Sequence, residues 1–211
     1  MFDYTLIGLF FAINLTIYLT ISLPLDFVTY FRKNPKSKRD NTQRLETNPM
    51  MMITFFVSGY MWLIFFYVPI DALIGFSIFT YQPLSTSDIL NTLIQSLGLV
   101  TVFFGTLIAS WGRISRGRRA ISWGIPHKLE KEGMYRYIRH PLYASYCFFF
   151  LGFLLILQNI LIIPLLIGIF GYYELSKYEE AILIDHFGEE YTYYQEKVGR
   201  FFPRLGRRKG K

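Results

Sequence analysis

The chain has 211 residues, of which 52% are hydrophobic and 19% aromatic, and its mean hydropathy is +0.29. Only 18% are charged, where a water-soluble domain carries about 25%, so an ordinary soluble fold is excluded and a membrane is the natural solvent. The net charge of +7 comes from basic clusters flanking apolar runs, a pattern that fits membrane topology and excludes a nucleic-acid surface.

The first apolar segment, Tyr4 to Leu23, is long enough to cross a hydrocarbon layer of about 30 Å. Asn14 is its one strongly polar interior residue, and Pro24 with Asp26 marks its end or a kink. No basic n-region precedes it and it exceeds a signal-peptide core, so this span is expected to stay in the mature protein. Arg32, Lys33, Lys36, Lys38, Arg39 and Arg44 then form a basic loop, expected on the cytosolic side. Asn48 and Pro49 supply an N-cap and a proline at the first helical position for a second span, Met50 to Ile70. Pro69 and Asp71 predict where that span leaves the bilayer.

From Asp71 to Asp88 the chain carries Gly75, Pro83 and a Ser/Thr cluster without any Lys or Arg, the composition of the opposite side. A third span, Ile89 to Trp111, holds Gln95 inside and ends in Arg113, Arg116, Arg118 and Arg119, read as topological determinants. Leu142 to Leu157 and Ile160 to Tyr173 are separated only by Gln158 and Asn159, which predicts a helical hairpin. Cys147, the single cysteine, lies in the aromatic run Tyr146 to Phe150 and reads as a packing residue; alone it excludes an intramolecular disulfide or a multi-cysteine metal site. The second hairpin run passes without a breaker into Glu174 to His186, so one helix is predicted to extend from lipid into cytosol. Phe187-Gly188 interrupts it, an amphipathic piece follows from Glu189 to Lys197, and a basic tail without a prenylation box ends the chain.

These elements predict an all-α, polytopic transmembrane bundle of five spans, with the N-terminus outside and the C-terminus cytosolic. Residues 1–121 form the three-span N-terminal part, 122–205 the part with the hairpin, and 206–211 a basic tail. No internal repeat of the transporter kind is visible, and Asn14 and Gln95 are the only strongly polar residues inside the spans. A small transporter or non-catalytic scaffold is therefore the competing class. A nicotinamide-dependent membrane reductase is a third, without a Gly-rich fingerprint to favour it.

The chemistry lies in the second half. The chain reads His127-x-Leu129, Gly133-x-Tyr135 and Arg139-His140-Pro141-x-Tyr143, then Glu179-Glu180, Phe187-Gly188-x-Glu190-Tyr191, Tyr194, Val198 and Arg200-Phe201-x-Pro203. Taken singly, His140 reads as a helix-start residue and Glu179-Glu180 as a solvated helix face. In this order and spacing, over Ser122 to Leu205, they resemble the isoprenylcysteine carboxyl methyltransferases and the related phospholipid methyltransferases.

That resemblance implies S-adenosylmethionine as cofactor, held between the loop before the hairpin and the cytosolic extension of the last membrane helix. It implies His127, Lys128, Leu129, Glu130, Tyr135, His140, Pro141, Leu142, Tyr143, Glu179 and Glu180 as the cofactor shell. Glu130 stands where the family resemblance implies a small apolar residue, so only its backbone is expected in the site. Arg139 or Arg200 would orient an anionic acceptor, and no metal is implied. The acceptor is a membrane lipid or prenylated substrate: the carboxylate of a prenylated cysteine, or alternatively a phospholipid amine. A carboxylate is already ionised at neutral pH, whereas an ammonium must first lose a proton. A side chain such as Glu179 suits an ammonium or a ribose diol, free amides at the Pro141 helix start suit a carboxylate, and alignment supplies much of the acceleration of methyl transfer.

Overall fold

The computed structural model describes residues 2–31, 49–75, 78–79, 87–116 and 128–204. Among these residues, six α-helices follow in chain order: α1 (Tyr4–Phe31), α2 (Pro49–Ile74), α3 (Asp88–Arg116), α4 (Pro141–Leu157), α5 (Ile167–Phe187) and α6 (Glu189–Lys197). Two 3₁₀ turns, Gly133–Arg136 and Ile160–Leu166, precede α4 and α5. The only pairing of extended backbone among the described residues is an isolated parallel bridge between Ile138 and Gly199.

Among the described residues, four segments are long and apolar enough to cross a membrane: Tyr4–Leu25, Pro49–Ile74, Asp88–Arg116 and Ile160–Phe187. The remaining arm of the hairpin, α4, has 17 residues and spans about 26 Å, slightly short of the hydrocarbon thickness. The polytopic all-helical bundle expected from the sequence is thus observed, with one arm of the hairpin shorter than the four long apolar segments. Gln158, in the left-handed region at φ 46°, closes α4, and the Asn159 side chain accepts from the Leu161 amide at 3.0 Å to start the return.

Two prolines expected near span ends do not end their helices. Pro24 and Pro69 lie inside α1 and α2, which continue to Phe31 and Ile74. Each proline forfeits one backbone bond, but without water the rest of the chain gains nothing by unwinding. Asp71 is therefore within a helix, and buried; its carboxylate accepts from the Tyr4 hydroxyl at 2.6 Å and the Tyr67 hydroxyl at 3.4 Å. Gln95, also buried, accepts from the Phe2 amide at 3.1 Å and donates to the Ile156 carbonyl at 3.2 Å, tying α3 to both neighbours.

Phe11, Phe65, Phe149 and Phe153 from α1, α2 and α4 meet at the bundle centre, with ring centroids 4.7 to 6.2 Å apart across the pairs in contact. The α3 and α4 helices lie especially close. Gly98, Gly105 and Gly112 recur every seven residues on one face of α3, and a Cβ on them would come within 2.8, 3.0 and 3.0 Å of Ile156, Phe149 and Pro141. A seven-residue repeat of small residues is the pattern that lets two membrane helices run together with a slight left-handed wrap. Leu9, Phe55, Phe66, Leu93, Phe104 and Ile163 point outward, as a lipid solvent permits.

Candidate functional site

The last membrane helix continues past Tyr173 into a polar extension, Glu174 to Phe187, outside the apolar stretch. Gly188, at φ 57°, then turns the chain so that α6 folds back beside that extension. Beyond α6, the backbone of residues 199 and 200 pairs with the strand before α4: the Arg139 amide donates to the Gly199 carbonyl at 2.8 Å and the His140 amide to the Arg200 carbonyl at 3.1 Å. Those bonds bring the start of α4, the end of α5 and the C-terminal segment to one place.

Glu180 sits at their centre, with only 3% of its surface exposed. One carboxylate oxygen accepts from Arg139 Nε at 2.9 Å, His140 Nε2 at 3.0 Å and Arg200 Nε at 3.1 Å. The other accepts from Arg200 Nη2 at 2.5 Å and Gln195 Nε2 at 3.0 Å. Arg139 also donates to the carbonyls of Gln195 and Val198, and the Arg200 guanidinium lies 5.1 Å from the centre of the Tyr173 ring. A buried carboxylate with this many charged donors is a structural hub, since removing it would strand two guanidiniums.

Glu179 is the more open neighbour, its side chain 35% exposed and 3.4 Å from His140 Nδ1. Both nitrogens of the buried His140 ring thus face carboxylates, and both can donate only in the imidazolium form. Burial opposes that charge, but the two glutamates outweigh it and hold the His140 pKa above its ordinary value. Burial likewise opposes the ionised glutamates, and hydrogen bonds from His140, joined at Glu180 by Arg200 and Arg139, hold both below the usual carboxylate range.

His140 is the N-cap of α4 and Pro141 its first residue, so Leu142 and Tyr143 carry the first amide hydrogens without a partner inside the helix. The Tyr143 ring stacks on His140 with centroids 5.3 Å apart and planes 5° off parallel, and burial together with the Glu179 charge pushes its hydroxyl pKa up. Tyr143 in turn meets Tyr172 at 4.9 Å, and Tyr172 stacks on Tyr146 at 5.1 Å, an aromatic column running from the charged cluster into the hairpin.

The structure brings together Arg139, His140, Pro141, Tyr143, Glu179, Glu180 and Arg200. Tyr135 is half-buried nearby, its carbonyl accepting from the Tyr194 hydroxyl at 2.5 Å. Leu129 instead packs into a small apolar cluster with Tyr191, Tyr194 and Val198. Lys128 is exposed, the Glu130 carboxylate accepts from the Glu132 amide at 3.2 Å, and His127 lies outside the described residues. Sequence reasoning missed Gln195, whose place in an amphipathic helix gave no sign of Glu180, and Arg116, whose charge acts on Glu179 although it read as a topological arginine. The glycine repeat of α3 was the signal that could have found Arg116.

Residues 93–190, from within α3 to the start of α6, match the family model described as phospholipid methyltransferase. The protein-S-isoprenylcysteine O-methyltransferase of Tribolium castaneum is 35% identical over 79 residues, which are 36% of this chain and 28% of that protein. A probable protein-S-isoprenylcysteine O-methyltransferase of Oryza sativa subsp. japonica is 30% identical over 117 residues, 52% of this chain and 61% of that protein. The protein of the first name from Schizosaccharomyces pombe is 34% identical over 80 residues, 36% of this chain and 34% of its own length. The chain spans less than two thirds of these relatives. Over residues 93–190 the chain is thus similar to phospholipid methyltransferases, and over 79 to 117 residues to proteins named as isoprenylcysteine methyltransferases.

Proposed function

We propose that this chain transfers a methyl group from S-adenosylmethionine to the carboxylate of a prenylated cysteine presented from the bilayer. The observation that carries the reading is that the family match over residues 93–190 contains the point where His140, Tyr143 and Glu179 meet. S-adenosylmethionine supplies, when bound, a methyl group on a sulfonium. The residues present suit a group of that chemistry: a half-open carboxylate, unpaired helix amides and stacked aromatic rings at one spot. In this reading His127, Lys128, Leu129, Glu130, Tyr135, His140, Pro141, Leu142, Tyr143 and Glu179 form the cofactor shell, with Glu180 fixing the His140 ring from below. In this reading Met1 lies outside and Lys38, Arg118 and Lys211 on the cytosolic side, all four being outside the described residues; the one-sided distribution of Lys and Arg in the sequence supports it.

A phospholipid amine is the second reading, favoured by the description of the matching family. It needs a base to take the ammonium proton. His140, doubly donating to glutamates, and Glu179, held below the usual carboxylate range, are both poor bases near neutral pH. An acceptor already ionised suits this site better.

The test is transfer of isotope-labelled methyl to prenylcysteine analogues of decreasing chain length and, in parallel, to phosphatidylethanolamine. Turnover is expected on the long-chain carboxylate and falls as the tail shortens, since each buried methylene contributes about 0.8 kcal/mol. Equal turnover of a tail-less acceptor defeats entry through the bilayer, and transfer to the amine alone reverses the choice of acceptor.

A further inference from the structure

Both arginines that the sequence offers for an anion are engaged with Glu180. A third reaches the same place from the opposite side. Arg116 is the last residue of α3 and is half-buried, and its guanidinium makes no hydrogen bond or ion pair among the described residues. Its position follows from the glycine seam. Gly112 stands against Pro141, and Arg116 lies one turn further along nearly the same face, at the end of α3 that meets the start of α4. The adjoining Ser115 accepts from the Met134 amide at 2.9 Å, which pins this end of α3 to the Gly133–Arg136 turn. Consistent with that placement, the Arg116 charge acts on Tyr135, Tyr143 and Glu179.

A guanidinium with no hydrogen bond or ion pair among the described residues, whose charge acts on a half-open carboxylate, is a poor receptor for an isolated anion, which Glu179 would repel, and for an isolated cation, which Arg116 would repel. It complements a zwitterion. An α-amino acid carries both charges on one carbon: its carboxylate can accept two N–H bonds from the guanidinium while its ammonium donates to the glutamate. Resting on the function proposed above, we infer that Arg116 and Glu179 together receive the amino-acid end of the methyl donor. Arg116 takes the carboxylate and Glu179 the ammonium, and Arg139 and Arg200 are positioning residues that hold Glu180.

Calorimetric titration of the full chain in lipid nanodiscs tests this without turnover. The ligands are S-adenosylhomocysteine, its analogue lacking the carboxylate, and N-acetyl prenylcysteine, which has a carboxylate but no ammonium. Arg116→Gln should weaken S-adenosylhomocysteine at least tenfold and leave the decarboxylated analogue within twofold, while Glu179→Gln weakens both. Arg116→Lys, which keeps the charge at the end of α3, should show the same selective loss to a smaller degree and decides the matter if the glutamine variant does not fold. Undiminished binding of S-adenosylhomocysteine, an equal loss of both nucleosides, or a loss confined to N-acetyl prenylcysteine overturns the assignment. No measurable binding of either nucleoside by the unaltered chain overturns the donor reading beneath it, and the assignment with it.

Discussion

The bundle of α1 to α4 and the polar region around Glu180 are held together by different physics. In the bundle, buried Phe rings and a glycine seam bring helices together where lipid offers no hydrophobic drive, so shape is what stabilises it. In the polar region, a buried carboxylate gathers donors from three separate segments. The first should be sensitive to volume and indifferent to pH, and the second the reverse. That contrast can be broken by experiment.

The largest effect should come from Glu180→Gln. It leaves Arg139, His140 and Arg200 without their shared anion, and breaking a buried ion pair from one side costs about 3–5 kcal/mol. Thermal unfolding in detergent measures it, and a loss under about 1 kcal/mol would remove Glu180 from its place as hub. Arg139 or Arg200 replaced together with Glu180 should cost less than the separate losses summed, because the partners share one interaction.

Next in size is Gly105→Leu on the α3 seam, where the added side chain meets Phe149 at once. Overpacking of this kind costs about 1–3 kcal/mol, and it should leave the pH dependence of stability unchanged. A Gly105→Leu variant as stable as the parent would show that α3 and α4 are less tightly joined than their spacing indicates.

How much of this was legible beforehand follows the same division. The hairpin turn at Gln158-Asn159, the Pro141 helix start, the long extension through Glu174 and the break at Gly188 are local signals, and each lies where the sequence put it. Pro24 and Pro69 were legible as prolines near span ends, but not that the helices run on past them to Phe31 and Ile74, since lipid offers the freed backbone groups no water. The motif residues were found, but not their division of labour. Glu179 and Glu180 are adjacent in sequence, yet one turns toward open space and the other into the cluster. The partners of Glu180 lie 41 and 20 residues away, at Arg139 and Arg200, so no spacing rule reaches them.

Titration should act on the polar region by degrees and with a defined sign. His140 has its pKa raised in the folded protein, so its contribution is complete below its unfolded value and is lost as pH rises through the folded one. The glutamates have theirs lowered, so their contribution is complete above the unfolded carboxylate value and is lost as pH falls through the folded one. Stability should therefore peak between the unfolded carboxylate and histidine values, in mildly acidic solution, when melting is followed against pH. His140→Gln should flatten the alkaline limb, and an unchanged limb in that variant would assign it to other groups.

The smallest effect should come from the one ion pair that links the start of the described loop to α6 at the surface. Lys131 Nζ lies 2.7 Å from a Glu190 oxygen, a distance as short as those around Glu180, but the two side chains are 39% and 56% exposed. Water and salt screen such a pair, and holding two long side chains in one geometry costs entropy, so exposed pairs contribute below about 1 kcal/mol. Lys131→Ala should accordingly lower stability by no more than that, and the difference should shrink as salt is raised. The loss in Glu180→Gln should persist at the same salt, because its partners are shielded from solvent. If the Lys131 and Glu180 variants lost equal stability and responded alike to salt, burial would not be what distinguishes the two sets of charges.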